Sequence, residues 1–230
     1  MLVADSVGRA FRGRPVLVTA TLSARAGEVT VLFGRNGSGK TTALRIAAGV
    51  LRPDWGVVRF RGRLHVRPRL HRLARRGLMY VSQEGALVKN WTVEDHVRLL
   101  RRSDEAIAAW GARWRVQALM GRVARTLSGG ERNRVGVALA VLRDPECLLL
   151  DEPFTGAAPL DRELVAAMVR HLTGRGCAVL ATGHEAGDLL ALSDRVIHLQ
   201  AGSTRELGPP DEAVDDESFR REYLGVRKGG

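Results

Sequence analysis

One stretch constrains this chain more than any other: Gly34-Arg35-Asn36-Gly37-Ser38-Gly39-Lys40-Thr41-Thr42. An apolar run over 28–33 precedes it. After it, over about 40–50, Leu44, Ala47, Ala48 and Leu51 form a one-sided apolar stripe that Pro53 terminates. That order predicts a strand, a glycine-rich turn and a helix. Glycines let the backbone curve tightly, so that amide N–H groups of the turn and of the helix N-terminus converge on a phosphate group. Lys40 would offset the charge of a β- or γ-phosphate, and Thr41 would offer its hydroxyl to Mg²⁺. Residues 34–42 are therefore the candidate polyphosphate-binding residues.

Two further motifs fit that chemistry. Cys147-Leu148-Leu149-Leu150-Asp151-Glu152-Pro153 reads as an apolar strand ending in adjacent carboxylates. Side chains alternate along a strand, so the two carboxylates can serve different purposes. Asp151 would hold Mg²⁺, and Glu152 would orient or deprotonate an attacking water. Leu127-Ser128-Gly129-Gly130-Glu131 precedes a helix with the stripe Val135, Ala138, Leu139 and Leu142. Ser128 is its expected N-cap, and the exposed amides form a second phosphate-binding terminus.

Around these motifs, β-rich runs are expected at 17–22, 28–33, 57–60, 78–82, 147–151, 177–182 and 196–199. Helices are expected at 40–50, 130–142 and 161–172. Strands that alternate with helices imply a parallel sheet in an α/β fold. A more polar, helix-leaning insertion is expected over 84–126, where Trp91, Trp110 and Trp114 should form a core of its own. The formal charge of +11 favours polyanionic partners. Its densest part is 61–76, where seven arginines alternate with His65 and His71 and no aromatic residue is present. Without stacking side chains, that run reads as a solvated or lipid-facing surface and makes nucleic acid an unlikely partner. Cys147 and Cys177 fall in apolar runs and are expected to be reduced core residues. No run reaches the ~18 apolar residues of a membrane span. No secretory leader is evident at Met1, so a cytoplasmic location is expected.

The three motifs, in this order, make the chain resemble the nucleotide-binding subunits of ABC (ATP-binding cassette) transporters over about 1–223. The Leu-Ser-Gly-Gly-Glu signature is the specific element. The resemblance implies a single P-loop NTPase domain over 1–230, with a mainly parallel RecA-like core, an N-terminal antiparallel β subdomain and an inserted helical subdomain. It also implies roles for further residues. Phe11 would stack on adenine beside Val16, Gln83 would reach Mg²⁺, and His184 would contact the γ-phosphate. Two chains, identical or paralogous, would sandwich two Mg·ATP head to tail, each ATP meeting Ser128, Gly129 and Gly130 of the opposite chain. Closure would drive a separate membrane permease, placing the subunit on the cytoplasmic face of the membrane. With the chain ending near Gly230, no additional regulatory domain is expected.

One position departs from the family pattern. Ala158 occupies the place of a D-loop aspartate that crosses to the opposite subunit, which implies weaker communication between sites and slower hydrolysis. Asp161 is expected to be a helix N-cap and not a substitute. Two other readings accompany the transport one. A soluble ABC ATPase acting on ribosomes or nucleic acid would use the basic charge, and an ATP-sensing module with little turnover would follow from Ala158.

Overall fold

The central strands bury both faces, which explains why their sequences are apolar throughout. The computed structural model describes residues 1–83 and 87–224. The expected start of the insertion at 84–86, and the chain end at 225–230, lie outside the described residues. The first half of the chain contains β1 (Leu2–Phe11), β2 (Arg14–Ala24), β3 (Val29–Phe33), α1 (Lys40–Ala47), β4 (Trp55–Phe60), β5 (Arg63–His65), α2 (Leu70–Ala74), β6 (Leu78–Val81), α3 (Val93–Arg98) and α4 (Asp104–Arg113). Then follow α5 (Gly129–Arg143), β7 (Cys147–Asp151), α6 (Pro159–Thr173), β8 (Ala178–Gly183), α7 (Ala186–Leu192), β9 (Arg195–Gln200), β10 (Ser203–Gly208), α8 (Pro210–Asp215) and α9 (Glu217–Phe219). A π turn, Arg220–Leu224, closes the described chain.

Ten strands form one curled sheet in the order β5-β4-β1-β2-β10-β9-β3-β8-β7-β6. From β9 to β6 every pairing is parallel. The β5-β4-β1-β2 end is antiparallel. The two regions join through the antiparallel β9–β10 pair and a parallel bridge between Ser203 and Thr19. The fold is thus the mixed α/β arrangement expected, a parallel core with an antiparallel N-terminal region.

Alternation divides the interior in two. Val29, Val31 and Phe33 of β3, with Leu148 and Leu150 of β7, face α5, α6 and α7. Leu32, Leu149 and Leu180 face the opposite way, toward Ala43, Leu44 and Ala47 of α1 and the inner residues of β1, β2 and β4. Both faces being covered, β3 ends in solvent only at its C-terminal edge, where the glycine-rich turn begins.

Residues 87–126 carry α3, α4 and two short 3₁₀ turns, Gln117–Leu119 and Ala124–Thr126. Their tryptophans do not form a separate core as expected. Trp110 and Trp114 are buried, but in the same cluster as α5 and α6, and Trp110 Nε1 donates to the Ala138 carbonyl of α5 at 2.6 Å. Trp91 is 39% exposed and sets its ring against His96. Four short helical pieces enclose too little apolar volume for a core of their own, so they pack on α5.

Asp161 is also placed differently from expectation. The N-cap of α6 is Ala158, which makes no side-chain cap. Asp161 lies three positions later, buried, with its carboxylate 3.1 Å from Arg134 of α5. Both side chains are largely withdrawn from water, so removing one leaves an uncompensated charge. Asp161→Ala is therefore expected to lower the unfolding free energy by about 3 kcal/mol in urea titration. A loss below about 1 kcal/mol would show that the pair is effectively solvated.

Candidate active site

The glycine-rich turn connects β3 to α1 as the motif predicts. Gly39 is the N-cap residue of α1, with φ of 106°, and no side chain caps that helix. Its first turn carries no acidic residue, so its free amides and dipole favour an anion. Glycine is required at position 39 twice over. Its φ lies in the left-handed region, and a Cβ there would stand 3.0 Å from both Val16 Cγ1 and Leu17 Cδ2. Gly37, at φ of 80°, has open space around it.

Lys40 begins α1 and is buried. Its Nζ donates to the Gly34 carbonyl at 2.7 Å and the Arg35 carbonyl at 3.2 Å, and stands 3.7 Å from Glu152 Oε1. Burial lowers its pKa from the usual lysine value, opposed by the charges of Glu152 and Asp151. The ammonium thus lies at the mouth of the turn, held by two backbone carbonyls and a longer ion pair with Glu152.

Asp151, at the end of β7 and 2% exposed, joins four elements. Its Oδ1 accepts from Thr41 Oγ1 at 3.1 Å and from Thr182 Oγ1 at 2.8 Å, and its Oδ2 accepts from Tyr80 OH at 3.2 Å. Burial, then the facing carboxylate, push the Tyr80 phenol up to about 12, so it remains a donor across the physiological range. Hydroxyl and carboxylate oxygens at this spacing are the donor set a hard divalent cation takes.

Glu152 turns away from Asp151 because its φ is 52°. This left-handed conformation costs a residue with a side chain about 1–2 kcal/mol. Its N–H is held by Thr182 Oγ1 at 3.1 Å. Oε2 accepts from Thr155 Oγ1 at 3.0 Å and from Gln83 Nε2 at 3.3 Å. His184 Nδ1 lies 3.5 Å from Oε1 without hydrogen-bond alignment, and is buried with no other partner.

These groups line a cleft of about 540 Å³, bounded by Val16, Asn36, Gly37, Gly39, Lys40, Thr41, Thr42, Gln83, Glu152, Thr155 and His184. Gly34 and Arg35 enter as carbonyl acceptors of Lys40, and Ser38 has a buried hydroxyl without a partner. Phe11 is not part of the lining. It is exposed at the end of β1, with the Arg9 guanidinium 5.0 Å from its ring centroid. Ser128, Gly129 and Gly130 do not line the cleft either. Ser128 Oγ accepts from Glu131 N at 3.1 Å, and Glu131 Oε2 accepts from Ser128 N at 2.8 Å, a reciprocal capping box at the start of α5. Thr155 lines the cleft, Tyr80 and Thr182 hold its carboxylates from behind, and none of the three was among the expected site residues. Strand register is the signal for Thr182, which pairs directly with Asp151.

The comparisons with known proteins agree with this geometry. The family model described as ABC transporter matches residues 17–155. The chain belongs to the ABC transporter ATP-binding family. An uncharacterized ABC transporter ATP-binding protein of Rhizobium meliloti is 36% identical over 97% of this chain and 86% of its own length. The lipopolysaccharide export system ATP-binding protein LptB of Escherichia coli is 32% identical over 97% of both. Among solved structures, a nucleotide-free ATP-binding cassette from an ABC transporter superposes with a TM-score of 0.84 at 22% identity, covering 98% of this chain and 99% of that one. A dimeric bacterial ABC transporter cassette gives 0.80 at 23% identity, covering 90% and 98%. The chain is accordingly an ABC transporter ATP-binding subunit of an ATP-hydrolysing family.

The two turn glycines give a quantitative check on this cassette's cleft. Gly39→Ala carries both strain and overlap and is expected to cost about 2–3 kcal/mol. Gly37→Ala carries strain alone and should cost about 1 kcal/mol. Urea denaturation of the two variants measures both, and equal losses would contradict the close packing of Val16 and Leu17 on Gly39.

Proposed function

We propose that this subunit binds Mg·ATP in the cleft, dimerises head to tail around two such nucleotides, and transmits their binding and hydrolysis to a separate membrane permease. One juxtaposition carries the reading. Lys40, Thr41 and Glu152 line one cleft, with Asp151 bonded to Thr41 beneath it, while Ser128, Gly129 and Gly130 stand outside it at a second helix terminus where Ser128 and Gly129 are exposed and Gly130 is buried. A signature that is outside its own chain's cleft is available to the cleft of another.

In this reading the turn amides and Lys40 hold the β- and γ-phosphates, and Asn36, Ser38 and Thr42 line the phosphate path. Thr41 and Asp151 would hold Mg²⁺, with Gln83 reaching it through the amide oxygen that its bond to Glu152 leaves unused. When bound, the ion would offset the charge of the phosphates. Val16 supplies an apolar wall for the base, and Phe11, exposed at the end of β1 and outside the cleft lining, would offer its aromatic face only to a base that extends that far. Glu152 accepts a proton from the attacking water. Gln83 and Thr155 hold the carboxylate, and His184, beside it, would reach the γ-phosphate. The whole chain works as one cassette, with the 84–126 segment as the part that moves on closure and 61–76 as a surface segment. It would sit on the cytoplasmic face of a membrane, bound through the permease, which selects the transported molecule. Among the described residues no helix is long and apolar enough to cross a membrane, so the pathway is assigned to another chain.

The test is affinity isolation of tagged Glu152→Gln chain from detergent-solubilised source cells with Mg·ATP. Turnover should fall by roughly 10²-fold or more, and a multi-spanning membrane protein should co-purify. Recovery of ribosomal components or nucleic acid without a membrane protein would overturn the coupling.

Ala158 supplies a second test. As an uncapped N-cap it leaves first-turn amides of α6 unpaired, so Ala158→Asp should raise stability by about 1 kcal/mol. If the missing carboxylate also weakens communication across the dimer, the same variant raises ATP turnover and its cooperativity. A gain in stability with unchanged kinetics would leave only the capping role.

A further inference from the structure

The densest positive surface of the molecule lies apart from the cleft. Between Asp54 and Glu84 the sequence has eight arginines and no acidic residue. The structure gathers this run into one patch. β4 and β5 form a hairpin that pairs Phe60 with Arg63 and Val58 with His65. Arg61 Nη1 donates to the Arg76 carbonyl at 3.4 Å, so the hairpin turn is fastened to the residues that follow α2. Arg63, Arg72 and Arg76 all crowd His65, whose pKa is held below the usual value by burial first and by those three charges. Among the described residues, only Arg61 of the eight meets a carboxylate, Glu146 at 2.5 Å. Elsewhere arginines such as Arg9, Arg134, Arg162, Arg170, Arg175 and Arg205 are paired.

Two exposed aliphatic side chains stand within this patch. Leu64 is 52% and Val66 60% exposed, flanked by exposed Arg63, Arg67 and Arg69. Arg63 on the sheet-edge strand β5 would by itself be accounted for by edge protection. That account stops at β5, whereas exposed Arg69, Arg72 and Arg75 continue around α2, where there is no edge to protect. Unpaired guanidinium groups around protruding aliphatic groups fit a surface that is anionic outside and apolar just beneath. Nucleic acid would use the charges but leaves Leu64 and Val66 without a role, and residues 61–76, which carry most of the arginines, have no aromatic side chain to stack on bases.

We propose that the β4–β5 hairpin and α2 form a docking face for anionic phospholipid headgroups, with Leu64 and Val66 entering the interface between guanidinium–phosphate contacts. This attachment belongs to the subunit itself and needs no permease, so its failure leaves the transport reading intact.

The test is co-sedimentation of the purified full chain with vesicles of about one-third phosphatidylglycerol in phosphatidylcholine, against vesicles of phosphatidylcholine alone. Binding is expected to the anionic vesicles only, and to weaken as salt is raised. A combined Arg63→Glu, Arg67→Glu, Arg69→Glu and Arg72→Glu variant should lower the partition coefficient on the order of a hundredfold or more. ATP binding by that variant should be unchanged, which shows that it is folded. The same number of reversals at Arg25, Arg101, Arg113 and Arg220, all exposed, should have a much smaller effect. Equal losses from the two sets would reduce the effect to net charge and overturn the proposal. Absence of vesicle binding also overturns it, as does tight binding of a single-stranded RNA oligomer with no vesicle binding.

Discussion

The arrangement of the cleft depends on one buried carboxylate. Asp151 accepts hydrogen bonds from Thr41 on α1, Thr182 on β8 and Tyr80 on β6, so three strands and the helix after the glycine-rich turn are registered against a single side chain. A buried carboxylate with no such partners would be strongly disfavoured, and three hydroxyl donors make its charged form tolerable. The same contacts fix the distance between the glycine-rich turn and the end of β7. Glu152 then has one way to leave the strand, through a left-handed backbone turn anchored by Thr182. Thr182 therefore sets both carboxylates, one facing inward and one facing the cleft.

A second constraint comes from the sheet. Since both its faces are covered by helices, its polar work is confined to the C-terminal edge of the parallel strands, as is usual for open α/β sheets. The turn after β3, the carboxylates after β7 and His184 after β8 all emerge there. The signature does not. It opens α5, whose buried side carries Asn133 and Arg134 to Pro153 and Asp161. One helix thus links the exposed Ser128 terminus to the segment between β7 and α6. Gly130 stands at that junction, where a Cβ would fall 2.8 Å from Asp161 Oδ2 and 3.0 Å from Ala157 Cα. This close packing accounts for glycine at the fourth position of the signature without reference to any ligand.

Much of this was legible in the residues. The uniformly apolar strands, the glycine-rich turn and the acidic strand end are local patterns, and each appears where its pattern placed it. β1 was not legible, since register shifts between Ala4 and Arg9 break its alternation. β10 was hidden because Ser203-Thr204-Arg205-Glu206 is polar and is held by β9 and a single bridge to β2. In the cleft, Lys40, Thr41, Asp151 and Glu152 belong to contiguous motifs. Strand register brings Tyr80 and Thr182 to the carboxylates, and the turn after β7 brings Thr155 to Glu152. Trp110 and Asp161 depart from expectation for a common reason. Local propensity gives a tryptophan a core and an aspartate a cap, whereas packing against α5 decided both.

The claim on which the account rests most is that two copies of this cleft and this signature complete each other. It is tested by sedimentation velocity of Glu152→Gln chain with and without Mg·ATP, alongside the same chain carrying Ser128→Arg. The account predicts a monomer without nucleotide, a dimer with it, and a nucleotide-bound monomer when Ser128 is replaced, since Ser128 lies outside its own chain's cleft. A dimer that forms regardless of Ser128, or a nucleotide-saturated chain that stays monomeric without that change, would contradict it.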